Sequence, residues 1–138
     1  LIIVVTIIAI LASVVVPSYQ DYVIKSKIPD VTSNLATMRV RMEQYFQDNI
    51  RYSTAVGGVT CGGTWPFTSD YFTYNCVATD NTYLITATGS GSKGNSMNGF
   101  SYTINQNNIK TSTIGTPAPA GWHGNNGNCW ITKAGGAC

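Results

Sequence analysis

At 138 residues the chain can enclose one core and is marginal for two. Eight basic against six acidic side chains, for a net charge of +2, argue against a dedicated nucleic-acid binder of strongly basic composition. The charge is uneven along the chain: all six acids lie at or before Asp80 together with five bases, whereas only Lys93, Lys110 and Lys133 follow. The plain reading of that imbalance is a solvated polar surface; the sharper one is a surface that attracts anions.

The chain opens on LIIVVTIIAILASVVV, Leu1 to Val16, which carries no charge and only Thr6 and Ser13 as polar side chains. As a helix this run spans about 24 Å at 1.5 Å per residue, somewhat short of the roughly 30 Å of a bilayer core. It lacks the basic start and small-residue cleavage site of a signal peptide. It also lacks the polar face that a surface helix of a soluble domain would show. The remaining reading is a helix that rests in lipid and later in another apolar setting, and its abrupt start leads us to expect residues ahead of Leu1. Pro17 removes a backbone donor and is expected to kink or loosen the helix. Thr6, Ala9, Ala12 and Ser13 are small enough to let other helices approach closely.

Beyond Pro17 the pattern changes. Ile28, Val31, Leu35, Met38, Met42 and Tyr45 recur at spacings of three and four, a heptad-like stripe, while Lys27, Asp30, Asn34, Arg39, Arg41 and Asp48 fall elsewhere on the wheel. Pro29 fits either the first turn of a restarted helix or a second kink. As one helix, Leu1 to about Asn49 would reach about 75 Å. That is more than a globule of this size can bury, so the apolar half must protrude and find partners.

This sequence resembles the type IV pilin family: a uniformly apolar start, then VVPSYQDYVIKSK, then an amphipathic stretch ending in EQYFQDN. The resemblance over Leu1–Lys27 is specific for pilins and pseudopilins; the rest matches in layout. It implies a leader cut from a prepilin and a mature start at an N-methylated phenylalanine. It also implies a threonine-leucine-isoleucine-glutamate run whose next residue would be Leu1. It implies a subunit held in the bacterial inner membrane as a monomer, which the inner-membrane pilus assembly machinery builds into an extracellular helical homopolymer. The filament core would be formed by Leu1, Ile2, Ile3, Val4, Val5, Ile7, Ile8, Ile10, Leu11, Val14, Val15, Val16 and Pro17. Adhesion, twitching motility or DNA uptake would be the work of such a fibre, with a host surface or DNA as outer partners. No cofactor and no small-molecule substrate are implied. The leading expectation is a major pilin. The alternatives are a minor or DNA-binding pilin, which the lysine-only second half fits weakly, and a type II secretion pseudopilin. A pseudopilin of the major kind typically holds calcium near its C-terminus, and calcium needs several oxygen ligands. The absence of carboxylate side chains after Asp80 disfavours it.

The resulting domain expectation is an apolar filament-core half over 1–27 and a head over 28–138. Within the head, residues 28–50 form the amphipathic helix half, and residues 51–70 a glycine-rich loop that includes Trp65–Pro66. Strand-like runs at 71–79 and 83–89 flank the turn Asp80–Thr82, and those at 100–104 and 109–114 flank Asn105–Asn108, two hairpins. Residues 89–99, GSGSKGNSMNG, read as a flexible connector. A long helix followed by an antiparallel sheet of four strands gives an α+β class, with the sheet packed on the Ile28–Tyr45 stripe. The tail, 115–138, reads as loop around a short strand at Cys129–Lys133.

Cys61, Cys76, Cys129 and Cys138 allow three connectivities. Their spacing, with His123 as the only histidine, does not fit zinc. Two disulfides suit an oxidising compartment, and sequential pairing closes the shortest loops, each worth roughly 2–3 kcal/mol. The pilin resemblance implies a disulfide-closed loop near the C-terminus, to which Cys129–Cys138 corresponds, leaving Cys61–Cys76 as the second bridge.

No catalytic or metal-binding set emerges. GSGSKG lacks the spacing of a phosphate loop, and His123 has no acid near it in sequence. Asp21, Asp30 and Glu43 read as solvated or paired helix-surface acids. Tyr19, Tyr22, Tyr45, Phe46 and Tyr52 read as packing aromatics, while Trp65, Trp122 and Trp130 suit either core or exposed binding rings.

Overall fold

The computed structural model describes residues 1–63 and 68–138, together with the backbone but not the side chain of Pro17. A single helix, α1, runs from Ile2 to Asn49 and passes through Pro29 without interruption. Pro29 thus neither restarts nor ends the helix; it sits on an exposed face where water reaches the carbonyls its ring leaves unpaired. Ile50 stops α1 in a left-handed conformation (φ 57°), its N–H closing on the Phe46 carbonyl at 2.7 Å.

Four strands follow as two hairpins: β1 Thr73–Ala78, β2 Tyr83–Thr88, β3 Phe100–Asn105 and β4 Lys110–Ile114. A fifth, β5, spans Gly124–Asn126, and the antiparallel order is β1-β2-β3-β4-β5. The expected sheet of four is therefore extended by one. The tail strand lies upstream of the expected Cys129–Lys133, because the chain turns back along β4, pairing Ile114 with Gly124 and Ser112 with Asn126.

Strand alternation decides the faces. Tyr74, Tyr83, Ile85, Ala87, Phe100, Tyr102, Ile104, Ser112 and Ile114 point inward and are buried. Outward, the ladder places Asn75, Thr86, Thr103 and Thr111 in one row across the sheet, and Thr73, Thr88, Ser101 and Thr113 in the next. Two elements share the inner face. Helix residues Ile24, Ile28, Val31, Leu35, Met38 and Met42 are buried in the core, and α1 contacts β2 and β3. The tail covers the β3–β4 side. Ile131 is fully buried, its carbonyl taking the Tyr102 hydroxyl at 3.0 Å. The Ser112 hydroxyl donates to the Cys129 carbonyl and accepts the Ile131 N–H, each at 2.8 Å.

The helix stripe holds Ile28, Val31, Leu35, Met38 and Met42 as expected but starts one turn earlier and ends on a different residue. It begins at Ile24, while Tyr45 is only half-buried, its ring lying against the backbone of Gly62, where no Cβ would fit. Phe46 closes the stripe instead, stacked on Tyr52 at 4.5 Å. Residues 89–99 are also more ordered than a flexible connector. Met97 is fully buried in the core, and Gly89 passes so close to the Met97 carbonyl that a side chain would collide. Cys61 joins Cys76 and Cys129 joins Cys138, with Cα separations of 5.9 and 6.1 Å. The first bridge fastens the loop after α1 to β1; the second closes the tail.

Because Met97 fills core space rather than decorating a loop, Met97→Ala is expected to cost about 2–5 kcal/mol in urea unfolding. A loss near that of an exposed site, under about 0.5 kcal/mol, would contradict the packing of this connector.

Candidate functional site

Two surfaces are candidates for function, the uncovered half of α1 and the cationic rim of the head. From Ile2 to Val16 the large apolar side chains are 51–83% exposed. An 18-residue window of α1 has a mean hydropathy of 2.5 and none of it is buried, so length and composition suffice to cross a membrane. Its two hydroxyls are satisfied internally: Thr6 donates to the Ile2 carbonyl at 2.9 Å and Ser13 to that of Ile10 at 2.7 Å. The segment thus asks no polar partner of its surroundings, the condition for lying in hydrocarbon or in a bundle of like helices. Of the expected filament-core residues, Leu1 to Val16 all lie on this uncovered half, while the side chain of Pro17 is outside the described residues.

Where the head begins, three helix acids serve a purpose that sequence reading missed. Asp21 accepts the indole N–H of the fully buried Trp122 at 2.8 Å. Asp30 accepts the Ser69 hydroxyl at 2.6 Å. Glu43 accepts the hydroxyls of Tyr52 and Tyr83 at 3.0 and 3.2 Å. Each acid ties α1 to a different part of the head: the tail, the loop before β1, and the first hairpin. The partners are 101, 39, 9 and 40 residues away, so no helix-period rule could have found them. Burial raises the Tyr83 hydroxyl far above the usual phenol range, and the Glu43 carboxylate beside it adds to this. Tyr52 is raised by the same two causes, and burial alone raises Tyr102 strongly.

The second surface lies at β4 and the tail. Of the three lysines after Asp80, Lys93 is paired with Asp70 at 2.7 Å. Lys110 has its ammonium over the Trp130 ring at 4.7 Å, and Trp130 is fixed by its N–H bond to the Thr103 carbonyl at 2.8 Å. Lys133 is exposed three residues beyond that ring. Among the described residues neither Lys110 nor Lys133 has a carboxylate within ion-pair distance. The sharper reading of the charge imbalance therefore attaches to these two, with Trp130 as a rim aromatic, Trp122 as core and Trp65 outside the described residues. His123 lies in the tail with Nε2 2.7 Å from the Ala118 carbonyl. Among the described residues no three His, Cys, Asp or Glu side chains gather as a metal site would require.

A helix with one half bare and the other packed on an antiparallel sheet, followed by a disulfide-closed tail, is the architecture of a type IV pilin. Residues 17–112, well over half of the chain, match the family described as "Type IV minor pilin ComP, DNA uptake sequence receptor", and the chain belongs to it. Among solved structures, the chain resembles the non-core minor pilin PilV of Neisseria meningitidis, with a TM-score of 0.53 and 12% identity. That alignment covers 71% of this chain and 94% of that one. A type IV pilin from Shewanella oneidensis aligns with a TM-score of 0.45 and 15% identity, over 78% of this chain and 97% of that one. At these identities the PilV likeness speaks for the fold alone. No curated protein matches the chain significantly. The family is one of structural subunits, and its description favours a minor pilin over the major pilin expected from sequence.

A pH dependence follows from the buried phenols. In the unfolded chain they ionise near pH 10, while in the fold Tyr52, Tyr83 and Tyr102 hold their protons to higher pH. Their contribution is complete below about pH 10 and is lost as pH rises beyond it. Thermal unfolding of the full chain from pH 8 to 11 should show a melting temperature that declines above about pH 10; a flat profile would refute this.

Proposed function

We propose that this chain is a minor type IV pilin that joins a filament through α1 and captures DNA with its head. The observation that carries the reading is the match of residues 17–112 to a family whose description is that of a DNA uptake sequence receptor. Supporting it on the head are Lys110 and Lys133, cations without a carboxylate partner among the described residues. Before assembly, α1 holds the monomer in the inner membrane with the head outside the cytoplasm, where its two disulfides persist. The pilus assembly machinery then moves Leu1–Val16 from lipid into the helix bundle of the fibre. Lipid is as apolar as the bundle, so this transfer gains little, and close packing at Thr6, Ala9, Ala12 and Ser13 supplies the contact. The step is thus reversible and needs external work, which suits a filament that extends and retracts. Adhesion and twitching would belong to the fibre as a whole.

The chemistry of capture is charge neutralisation at phosphates, with Trp130 and the neighbouring polar groups shaping the rim. Each lysine that meets a phosphate contributes about 0.9 to the slope of log affinity against log salt. With full-length chain in detergent and duplex DNA, replacing Lys110 and Lys133 by alanine should weaken binding and flatten that slope by about 2. A slope equal to that of the unaltered chain would remove these residues from the interface. For assembly, Ile7→Lys places a charge mid-segment at a cost of about 2.5–3.5 kcal/mol in a bilayer. The variant should be lost from sheared filaments while its head keeps both disulfides. Normal yields in filaments would refute the role of the bare helix half.

A further inference from the structure

We propose that the tip of the β3–β4 hairpin reads base edges in the major groove of the captured duplex, Asn107 and Asn108 meeting adenine and Ile109 the methyl group of thymine. The proposal rests on the DNA-capture reading above and adds to it the element that reads sequence and the base pairs it selects.

A two-stranded ribbon is narrow enough for the major groove, which is about 12 Å wide and about 8.5 Å deep. Between β3 and β4 the chain reads Asn105–Gln106–Asn107–Asn108–Ile109. Asn105 Oδ1 accepts the N–H groups of Asn107 and Ile109, each at 3.0 Å. The Asn105 backbone carbonyl takes the Asn108 N–H, also at 3.0 Å. Gln106 Oε1 accepts the Tyr83 N–H at 3.2 Å and so fastens the tip to β2. Asn108 adopts the left-handed conformation, φ 58°, which asparagine tolerates in turns. The backbone of the tip is therefore held in place, and none of these bonds engages the carboxamides of Asn107 and Asn108. Both residues are exposed, and Ile109 beside them is 44% exposed.

Position agrees with chemistry. At about 3.4 Å per residue, Lys110 stands about 7 Å behind Asn108 along the strand, close to the depth of the groove. With Asn108 at the groove floor, Lys110 thus lies near the phosphates of the groove edge, its ammonium over the Trp130 ring at 4.7 Å. The β1–β2 turn at the same end of the sheet carries Asp80. Its carboxylate is engaged by the Ser53 hydroxyl and, at 3.2 Å, by the Gly57 N–H, with Arg51 acting on it as a counter-charge. A carboxamide presents a donor and an acceptor together and pairs with adenine N6 and N7, whereas an apolar side chain covers the thymine methyl. Three uncharged groups on one ordered tip thus select A·T pairs, while the lysines supply affinity without regard to sequence.

The test is selection with the full-length chain in detergent from a pool of duplexes whose centre is randomised, the enriched pool being read by sequencing. Enrichment of A·T pairs at fixed positions is expected. The double variant Asn107→Ala with Asn108→Gly keeps the left-handed turn. It should lower the preference for those pairs over G·C about tenfold or more, with the slope of log affinity against log salt unchanged. Lys110→Ala with Lys133→Ala should do the reverse, flattening the slope and leaving the preference in place. Undiminished preference in the asparagine variant, a fall in its salt slope, enrichment of G·C pairs alone, or no preference in the unaltered chain would each overturn the proposal and leave DNA capture standing. An unaltered chain that binds no duplex overturns both.

Discussion

Burial of the Ile24–Met42 face of α1 against β2 and β3 is the contact on which the rest depends. A helix of 48 residues would not stay straight and single in water through its own hydrogen bonds, and this one carries a proline at its middle. Six buried side chains on one face hold its second half. That grip leaves the first half free to project, with no polar group needing a partner. The division between covered and bare is therefore a division between two solvents. The head meets water, and the bare half meets lipid or other helices.

The same contact sets the rest of the head in order. Strand alternation puts Tyr83, Ile85, Phe100 and Tyr102 under the helix, and the face opposite becomes rows of threonine, serine and asparagine. The helix is too narrow to cover five strands, so the tail must complete the inner face. Trp122 and Ile131 do so, both without solvent exposure. The bonds of Ser112 and Tyr102 to Cys129 and Ile131 then hold the segment that carries Trp130 onto the sheet, the Cys129–Cys138 bridge closes the loop that carries Lys133, and the cationic rim is a consequence of how the core is closed. The acids on α1 act at the same seam, each holding a distant part of the chain by a hydrogen bond to a charged acceptor, stronger than a neutral one.

Legibility from sequence followed distance along the chain. The bare half of α1 was readable because Leu1–Val16 is uniformly apolar, and the head-facing stripe because its period is that of a helix. Both hairpins were readable, since each turn lies between runs of β-branched and aromatic residues. Tyr45 was misassigned because periodicity marks a face of the helix but not where the cover ends, and here the Gly62 backbone takes up one side of its ring. Met97 was missed because its glycine and serine neighbours describe a loop, and composition does not show one side chain turned into a core. The fifth strand escaped because Gly124–Asn126 has no strand propensity and exists only through pairing with β4.

The sequence by itself determined that a long helix with an apolar and an amphipathic half precedes an antiparallel, disulfide-bearing head. These features rest on local period and composition, which the chain carries at every point. Only the tertiary structure decided which cations stand free. Lys93, Lys110 and Lys133 are alike in sequence, but among the described residues folding brings Asp70 to the first, Trp130 to the second and no carboxylate to the third. It likewise decided that Asp21, Asp30 and Glu43 accept hydrogen bonds from the head. The physical reason is the same in both cases: a charge acts on what lies within a few ångströms of it, and folding alone determines those neighbours.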